Sequence, residues 1–417
     1  MKKILYLLLL SVLISCSGDL TNQELNKSKN IDLVEGSWRM NFQLSATNYV
    51  PINFTLTKID TLYRVEFSNA DEKILAKSVS IVNDKITIQD PIFNSWFEGI
   101  IVNSTTSKGN WYKEGKEYYI PFIANHGSSA RFVKSDNNKK TNANISGKWE
   151  VDFSKNNPEN HYQSIGQFQQ DGNYLTGTFM TETGDYRFLE GNVYNDSIYL
   201  SCFDGSHLFL FKALLKNDTL NGNFWSGTHW KEPWEAVRNE SFKLTNPDSL
   251  TFLKDGFTEL AFTFPNIHRD NVSLKDKKYK GKVVIVNIMG PWCPNCKDET
   301  AYLTQLYNTN HDKGLEIIAL SYDKTDNFKI AKQNIIKIKT FFNADYDFLI
   351  AGKADKITSA KSLPMLNHIM SYPTTIFIDK KGKIRKIRTG FYGPGTGSYY
   401  LRYTQQTDDL IAKLLAE

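Results

Sequence analysis

Two cysteines stand two residues apart, Cys293 and Cys296 in the stretch GPWCPNCKDET, within a chain of 417 residues that has four cysteines in all. Thiols at this spacing hold half of a zinc site, form a short structural staple, or exchange disulfides with another molecule. Zinc needs two more ligands at recognisable spacing, and the seven histidines are scattered singly, away from the pair. A static staple would close a strained ring for almost no loop-closure gain. A working redox pair is the stronger reading. The nucleophile in disulfide exchange is a thiolate, so one cysteine has to ionise near ambient pH. Cys293 stands where an apolar run hands over to a helical pattern, and the unpaired N–H groups and dipole of a helix start favour negative charge. Cys296 lies one turn further in. The first thiol is expected to attack and the second to resolve.

The elements that must position the pair can be read around it. KVVIVNIM is a continuous apolar, β-branched run, as in a strand buried on both faces of a sheet. KDETAYLTQLYN places Ala301, Leu303, Leu306 and Tyr307 mostly on one side of a helix. Strand LEIIALSYD, helix NFKIAKQNIIKIKTFF and strand DFLIA follow. A helix near LPMLNHIM, strand TTIFID, turn KKGK, strand IRKIRTG and a closing helix QQTDDLIAKLLAE complete the pattern. Strands alternating with helices and ending in a hairpin predict an α/β layer structure over residues 255–417.

The rest of the chain is different. MKKILYLLLLSVLISC has two lysines ahead of an apolar run too short to span a bilayer comfortably. Leu13-Ile14-Ser15-Cys16 resembles a bacterial lipobox, which implies removal of residues 1–15 and a lipid on Cys16. Residues 16–33 then read as anchor and polar tether. Export places the remaining thiols in an oxidising compartment. A net charge of +5 without a concentrated basic face gives no support to nucleic-acid binding.

From about Val34 to Phe242 the apolar pattern has period two, broken by Asn, Asp and Gly. It also looks duplicated: GSWRMNF, VNDKITI and SKGNWY recur in order as GKWEVDF, YNDSIYL and LNGNFW. Two antiparallel units, residues 34–140 and 141–247, are expected, each a sandwich or a small barrel. Cys202, in SIYLSCF, reads as a buried strand thiol. Trp225, Trp230 and Trp234 are either core or a binding platform. Four Asp-Ser/Thr-aliphatic triplets, at Asp60, Asp196, Asp218 and Asp248, are either O-glycosylation signals or ordinary turns.

Residues from about Phe257 to Glu417 resemble the TlpA/ResA-type membrane-anchored thiol–disulfide oxidoreductases of the thioredoxin superfamily. The motifs are VVIVNIMGPWCPNC, the helix behind it, and SYPTTIFIDKKGKI. The resemblance implies a thioredoxin-like fold, no cofactor and no metal, protein disulfide clients, and a membrane thiol carrier as electron donor. It implies a cis Pro373 facing the pair and client binding by Tyr372 and Pro373; Trp292, beside Cys293, reads as the rim of the site and is counted with them in client binding. It assigns Glu299 as proton acceptor for the resolving thiol, whereas position alone also allows Glu299 to complement the helix dipole. Asn287 stands where thioredoxin has a buried aspartate, and an amide cannot exchange a proton at neutral pH. The expectation is a lipid-anchored disulfide reductase of the bacterial envelope, on a periplasm-facing inner or outer membrane. The rivals are a glycan- or protein-binding lipoprotein with an accessory redox domain, and a thiol peroxidase. The peroxidase requires a hydroxyl three positions before the reactive cysteine, where this chain has Gly290.

Overall fold

The computed structural model describes residues 31–114, 117–134, 141 and 143–417; the leader and Cys16 lie outside them. The first unit has nine strands: β1 (Gly36–Gln43), β2 (Tyr49–Ile59), β3 (Leu62–Asn69), β4 (Glu72–Leu75), β5 (Ser78–Val82), β6 (Lys85–Gln89), β7 (Ser95–Asn103), β8 (Thr106–Lys113) and β9 (Tyr118–His126). The second repeats them as β10 (Gly147–Phe153), β11 (Tyr162–Asp171), β12 (Tyr174–Thr181), β13 (Gly184–Asp185), β14 (Leu189–Tyr194), β15 (Ser197–Phe203), β16 (Leu208–Lys216), β17 (Thr219–Ser226) and β18 (Trp230–Arg238). Both sheets are antiparallel and run in the same order, with the first strand between the second and the ninth.

The duplication extends to single atoms. Trp38 Nε1 donates to Val34 O at 2.9 Å, and Trp149 Nε1 makes the same bond to Ile145 O at 2.9 Å. The units differ at one seam. In the second, β12 pairs with both β11 and β14, closing eight strands into a barrel with β13 hung on its edge. In the first, no ladder joins β3 to β5, and the sheet stays open. Phe203, Leu208 and Leu210 of the second unit pack into the first unit's core.

Alternation explains these strands: in β10, Trp149, Val151 and Phe153 face inward while the residues between them are only partly covered. Turn chemistry explains the hairpins. Asp60, Asn195, Asn217 and Asp218 all take positive φ in two-residue connections, where Asn and Asp tolerate the left-handed region. Three of the four Asp-Ser/Thr triplets thus sit in hairpin turns. Cys202 is fully buried in the barrel core. The tryptophans do not share a platform. Trp234 is core, Trp225 lies under Lys212 and Lys231, and Trp230 is exposed.

The last domain has a five-stranded sheet and a small outlying hairpin, β19 (Thr263–Pro265) and β20 (Asn271–Ser273). The sheet contains β21 (Val283–Met289), β22 (Leu315–Asp323), β23 (Asp347–Lys353), β24 (Thr374–Ile378) and β25 (Ile384–Thr389) in the order β23-β22-β21-β24-β25. The first three are parallel; β24 runs against β21 and β25 against β24. β21 is buried on both faces. Val283, Ile285 and Met289 join a core with α1 (Pro294–Asn310), α2 (Phe328–Phe342) and α4 (Ser398–Ala416), while Val284, Val286 and Ile288 join a second core on the other face. This is the thioredoxin-like layered fold expected from the sequence.

The helix expected near LPMLNHIM is not there. α3 lies earlier, at Lys356–Ser362, started by Asp355, whose side chain accepts from Thr358 N. Leu363, Met365, Leu366 and Ile369 are buried in irregular backbone instead, and Leu366 forms a β-bridge with Leu253. Pro364 helps explain this, since proline disfavours helical conformation in the residue before it. The polar bridge between barrel and sheet is fastened too: Thr389 N donates to Pro247 O at 2.9 Å and Lys254 N to Met365 O at 2.9 Å.

Candidate active site

The parallel strand β21 delivers the chain to the rim of the sheet, and α1 begins one short turn later. Pro294 occupies the first helical turn, where no N–H is needed. Cys293 is the N-cap: its Sγ accepts from Cys296 N at 3.2 Å, the place a capping oxygen takes in other helices. The Cys293 thiol in turn donates to Tyr372 O at 3.3 Å. Both members of the pair are free thiols here. They differ in access, since Cys293 is 7% exposed and Cys296 is fully buried. Burial pushes the Cys296 thiol well above its ordinary range, and the neighbouring Cys293 adds to the effect.

Tyr372 and Pro373 are joined by a cis peptide bond. The Tyr372 ring meets the Trp292 indole edge-on at 5.7 Å between centroids, and its hydroxyl bonds Ser359 Oγ at 2.6 Å. Trp292 is held by its Nε1 donating to Tyr322 O at 3.0 Å, with the Lys324 ammonium over its ring at 5.1 Å. The sequence-predicted rim residues therefore stand together around Cys293.

Glu299 is fully buried one turn behind Cys296. Three donors converge on its carboxylate: Asn287 Nδ2 at 2.6 Å, Thr375 Oγ1 at 2.8 Å and the Tyr403 hydroxyl at 2.6 Å. Burial raises its pKa, while Tyr403, Thr375 and Asn287 oppose the rise. A buried carboxylate with no salt bridge among the described residues, held by neutral donors, is suited to exchanging a proton. Asn287 also donates to Thr375 Oγ1 at 2.9 Å, so the amide positions the acid. Thr375 and Tyr403 escaped the sequence reading because they lie on β24 and α4, 76 and 104 residues from Glu299. No local pattern connects them.

The β units reach this site as well. Arg187, buried in the second unit, donates to Pro294 O at 3.4 Å and pairs with Asp298 on α1 and, at 2.5 Å, with Glu72 on β4. Ser206 Oγ donates to Trp292 O at 3.3 Å. A cleft of about 590 Å³ lies beside Trp292, between Phe93 and Lys113 of the first unit and Lys324 and Asn334 of the redox domain. Among the described residues no helix is long and apolar enough to cross a membrane.

A family model described as AhpC/TSA matches residues 258–387. The thiol-disulfide oxidoreductase ResA of Bacillus thuringiensis subsp. konkukian is 34% identical over 138 residues, covering 32% of this chain and 71% of that protein. A protein of the same name from Bacillus cereus is 34% identical over 123 residues, 30% of this chain and 62% of its relative. Among solved structures, the thioredoxin domain of a thiol-disulfide oxidoreductase from Bacteroides vulgatus shares 25% identity, with 37% of this chain and 99% of that one covered, at a TM-score of 0.28.

Proposed function

Given that the chain belongs, through its C-terminal domain, to the ResA-type thiol–disulfide oxidoreductases of the thioredoxin superfamily, we propose that it reduces disulfides of exported proteins from a lipid anchor in the bacterial envelope. The observation that carries this reading is the helix-start thiol of Cys293, 3.3 Å from Tyr372 O, with buried Cys296 and Glu299 ranged behind it.

The Cys293 thiolate attacks one sulfur of a client disulfide. An S–S bond forms between enzyme and client, and the client's other sulfur leaves as a thiolate. Cys296 then gives its proton to Glu299 and attacks Cys293 Sγ, releasing the second client thiolate. The enzyme is left with a Cys293–Cys296 disulfide, having passed two electrons to the client, whose thiolates take up protons from solvent or, for one of them, from Glu299. A dithiol carrier in the membrane, the implied electron donor, returns the two electrons by the same exchange in reverse. The backbone of Tyr372, next to Pro373, and the Trp292 ring bind the client segment. Cys16 supplies the anchor, holding the protein to a periplasm-facing membrane.

A peroxidase has less support. A Cβ at position 290 would lie 2.6 Å from Trp292 Nε1, leaving no room for the hydroxyl-bearing side chain that would hold peroxide. A binding protein with an accessory redox domain is separated from the main proposal by deleting the residues before about Ser249, which should spare disulfide reduction and abolish binding of a ligand held by the β units. Reduced full-length protein should reduce insulin disulfides, and Cys293→Ser should abolish the activity. Turnover that persists in Cys293→Ser would overturn the assignment.

A further inference from the structure

The face of the redox domain beside Cys293 is already covered by the chain's own second barrel. The segment from Thr181 to Arg187, at the edge strand β13, runs along the residues that border the cysteine pair. Thr183 O accepts from Ser371 Oγ at 2.8 Å, two residues before Pro373. Gly184 lies so close to Asn295, between the two cysteines, that a Cβ there would stand 2.1 Å from Asn295 Nδ2. Asp185 Oδ2 accepts from Gly393 N at 2.6 Å, and Tyr392 donates its hydroxyl hydrogen to Thr181 O at 3.0 Å. Arg187 then ties the segment to the first turn of α1 through Pro294 O and Asp298.

A folded client has to bring its disulfide in line with Cys293 Sγ, and over this face it meets Thr181–Arg187 first. We infer that this segment is a built-in cap on the client face, so that exchange with proteins requires the redox domain to part from the second barrel, with Arg187 as the latch. The inference rests on Cys293 being the attacking thiol. It adds that small disulfides and large ones should differ in their access to it.

The contact has the make-up of one that opens. Its polar links are single hydrogen bonds and one ion-pair cluster. The Arg187 guanidinium is buried with its Nε lacking a partner among the described residues, which weakens the closed arrangement. Tyr186 anchors the segment to the barrel, its ring 6.0 Å from that of Phe153 and its hydroxyl 2.6 Å from that of Tyr162, so the barrel side of the contact stays fixed and it is the redox domain that parts from it.

The test compares labelling of Cys293 in reduced full-length protein by iodoacetamide and by a maleimide joined to a bulky polyethylene glycol. Two variants act by different means. Arg187→Ala removes the latch, and Gly184→Val wedges a side chain against Asn295 at a φ of +155°, on a strand that meets the eight-stranded ring only through β12. Circular dichroism and melting confirm that each is folded. Each variant should raise the bulky-reagent rate about tenfold or more, Arg187→Ala by removing the contacts to Pro294 O and Asp298 and Gly184→Val by crowding Asn295, and change the iodoacetamide rate less than about twofold. Equal bulky-reagent rates in the native protein and in whichever variants fold would overturn the cap. Failure of iodoacetamide itself to label native Cys293 would instead remove the attacking thiol, and the cap with it.

Discussion

At the residue scale, chemistry is divided between an accessible sulfur and a hidden one. In the proposed mechanism Cys293 has to meet another molecule, whereas Cys296 has only to meet Cys293. Because burial raises the Cys296 pKa so far, the proposed resolving step needs a base, and Glu299 is the carboxyl buried one turn behind it. Glu299→Gln should slow resolution about 10²-fold, the lower range of general-base effects, while leaving alkylation of Cys293 nearly unchanged. Single-turnover measurements would show the mixed disulfide accumulating; undiminished resolution would leave Glu299 with only a structural part. Cys296→Ser should hold the client on Cys293 indefinitely, visible as a reducible high-mass band on a gel. Asn287→Ala removes a donor from a buried carboxylate and should raise the pKa of Glu299 further. That moves the alkaline rise of the resolution rate to higher pH, since Glu299 accepts a proton only once ionised.

At the scale of elements, one turn carries a measurable penalty. Asp90, ahead of β7, accepts from Ile92 N at 2.8 Å and Phe93 N at 2.6 Å through the same oxygen. Burial nevertheless lifts its pKa to about 6 against the backbone bonds and Lys297, with Asp204 adding to the rise. A carboxyl with a raised folded-state pKa contributes stability that is present in full below its unfolded value, near 3.8, and lost as pH rises through about 6. Asp90→Asn keeps an acceptor for both N–H groups and sheds the buried charge. It should match the native protein near pH 4 and exceed it at pH 7 by about 3 kcal/mol, measured by denaturant unfolding. The same scale shows what the sequence makes legible. Strands β21 to β25 and helices α1, α2 and α4 follow from runs of apolar residues and their period, because each is decided by neighbours close in the chain. The duplication could be read because three short motifs recur in order. Closure of one barrel and not the other could not, since a seam between β12 and β14 depends on register across many residues. The misplaced helix near Leu363 had the right apolar residues, but Pro364 and tertiary packing decided their backbone.

At the scale of the whole molecule, the pair and its rim were predictable, whereas the β units' approach to them was not. Arg187, Glu72 and Asp298 are each unremarkable in sequence and become significant only when three separate folds converge. Glu72→Gln alters a residue of the first unit that touches no part of the cysteine motif. It leaves the Arg187 cation with one salt-bridge partner in place of two, and should destabilise the full chain by about 3 kcal/mol, read as a lowered melting midpoint. A chain that melts as before would show the ion cluster to be energetically idle. The shared cation also bears on synthesis. Glu72 and Arg187 leave the ribosome well before Asp298 does, so the nascent β pair holds its arginine with one of the two salt-bridge partners still to come. The last fold to emerge supplies that partner, and the helix that carries Cys296 is thereby directed to a berth prepared before it existed.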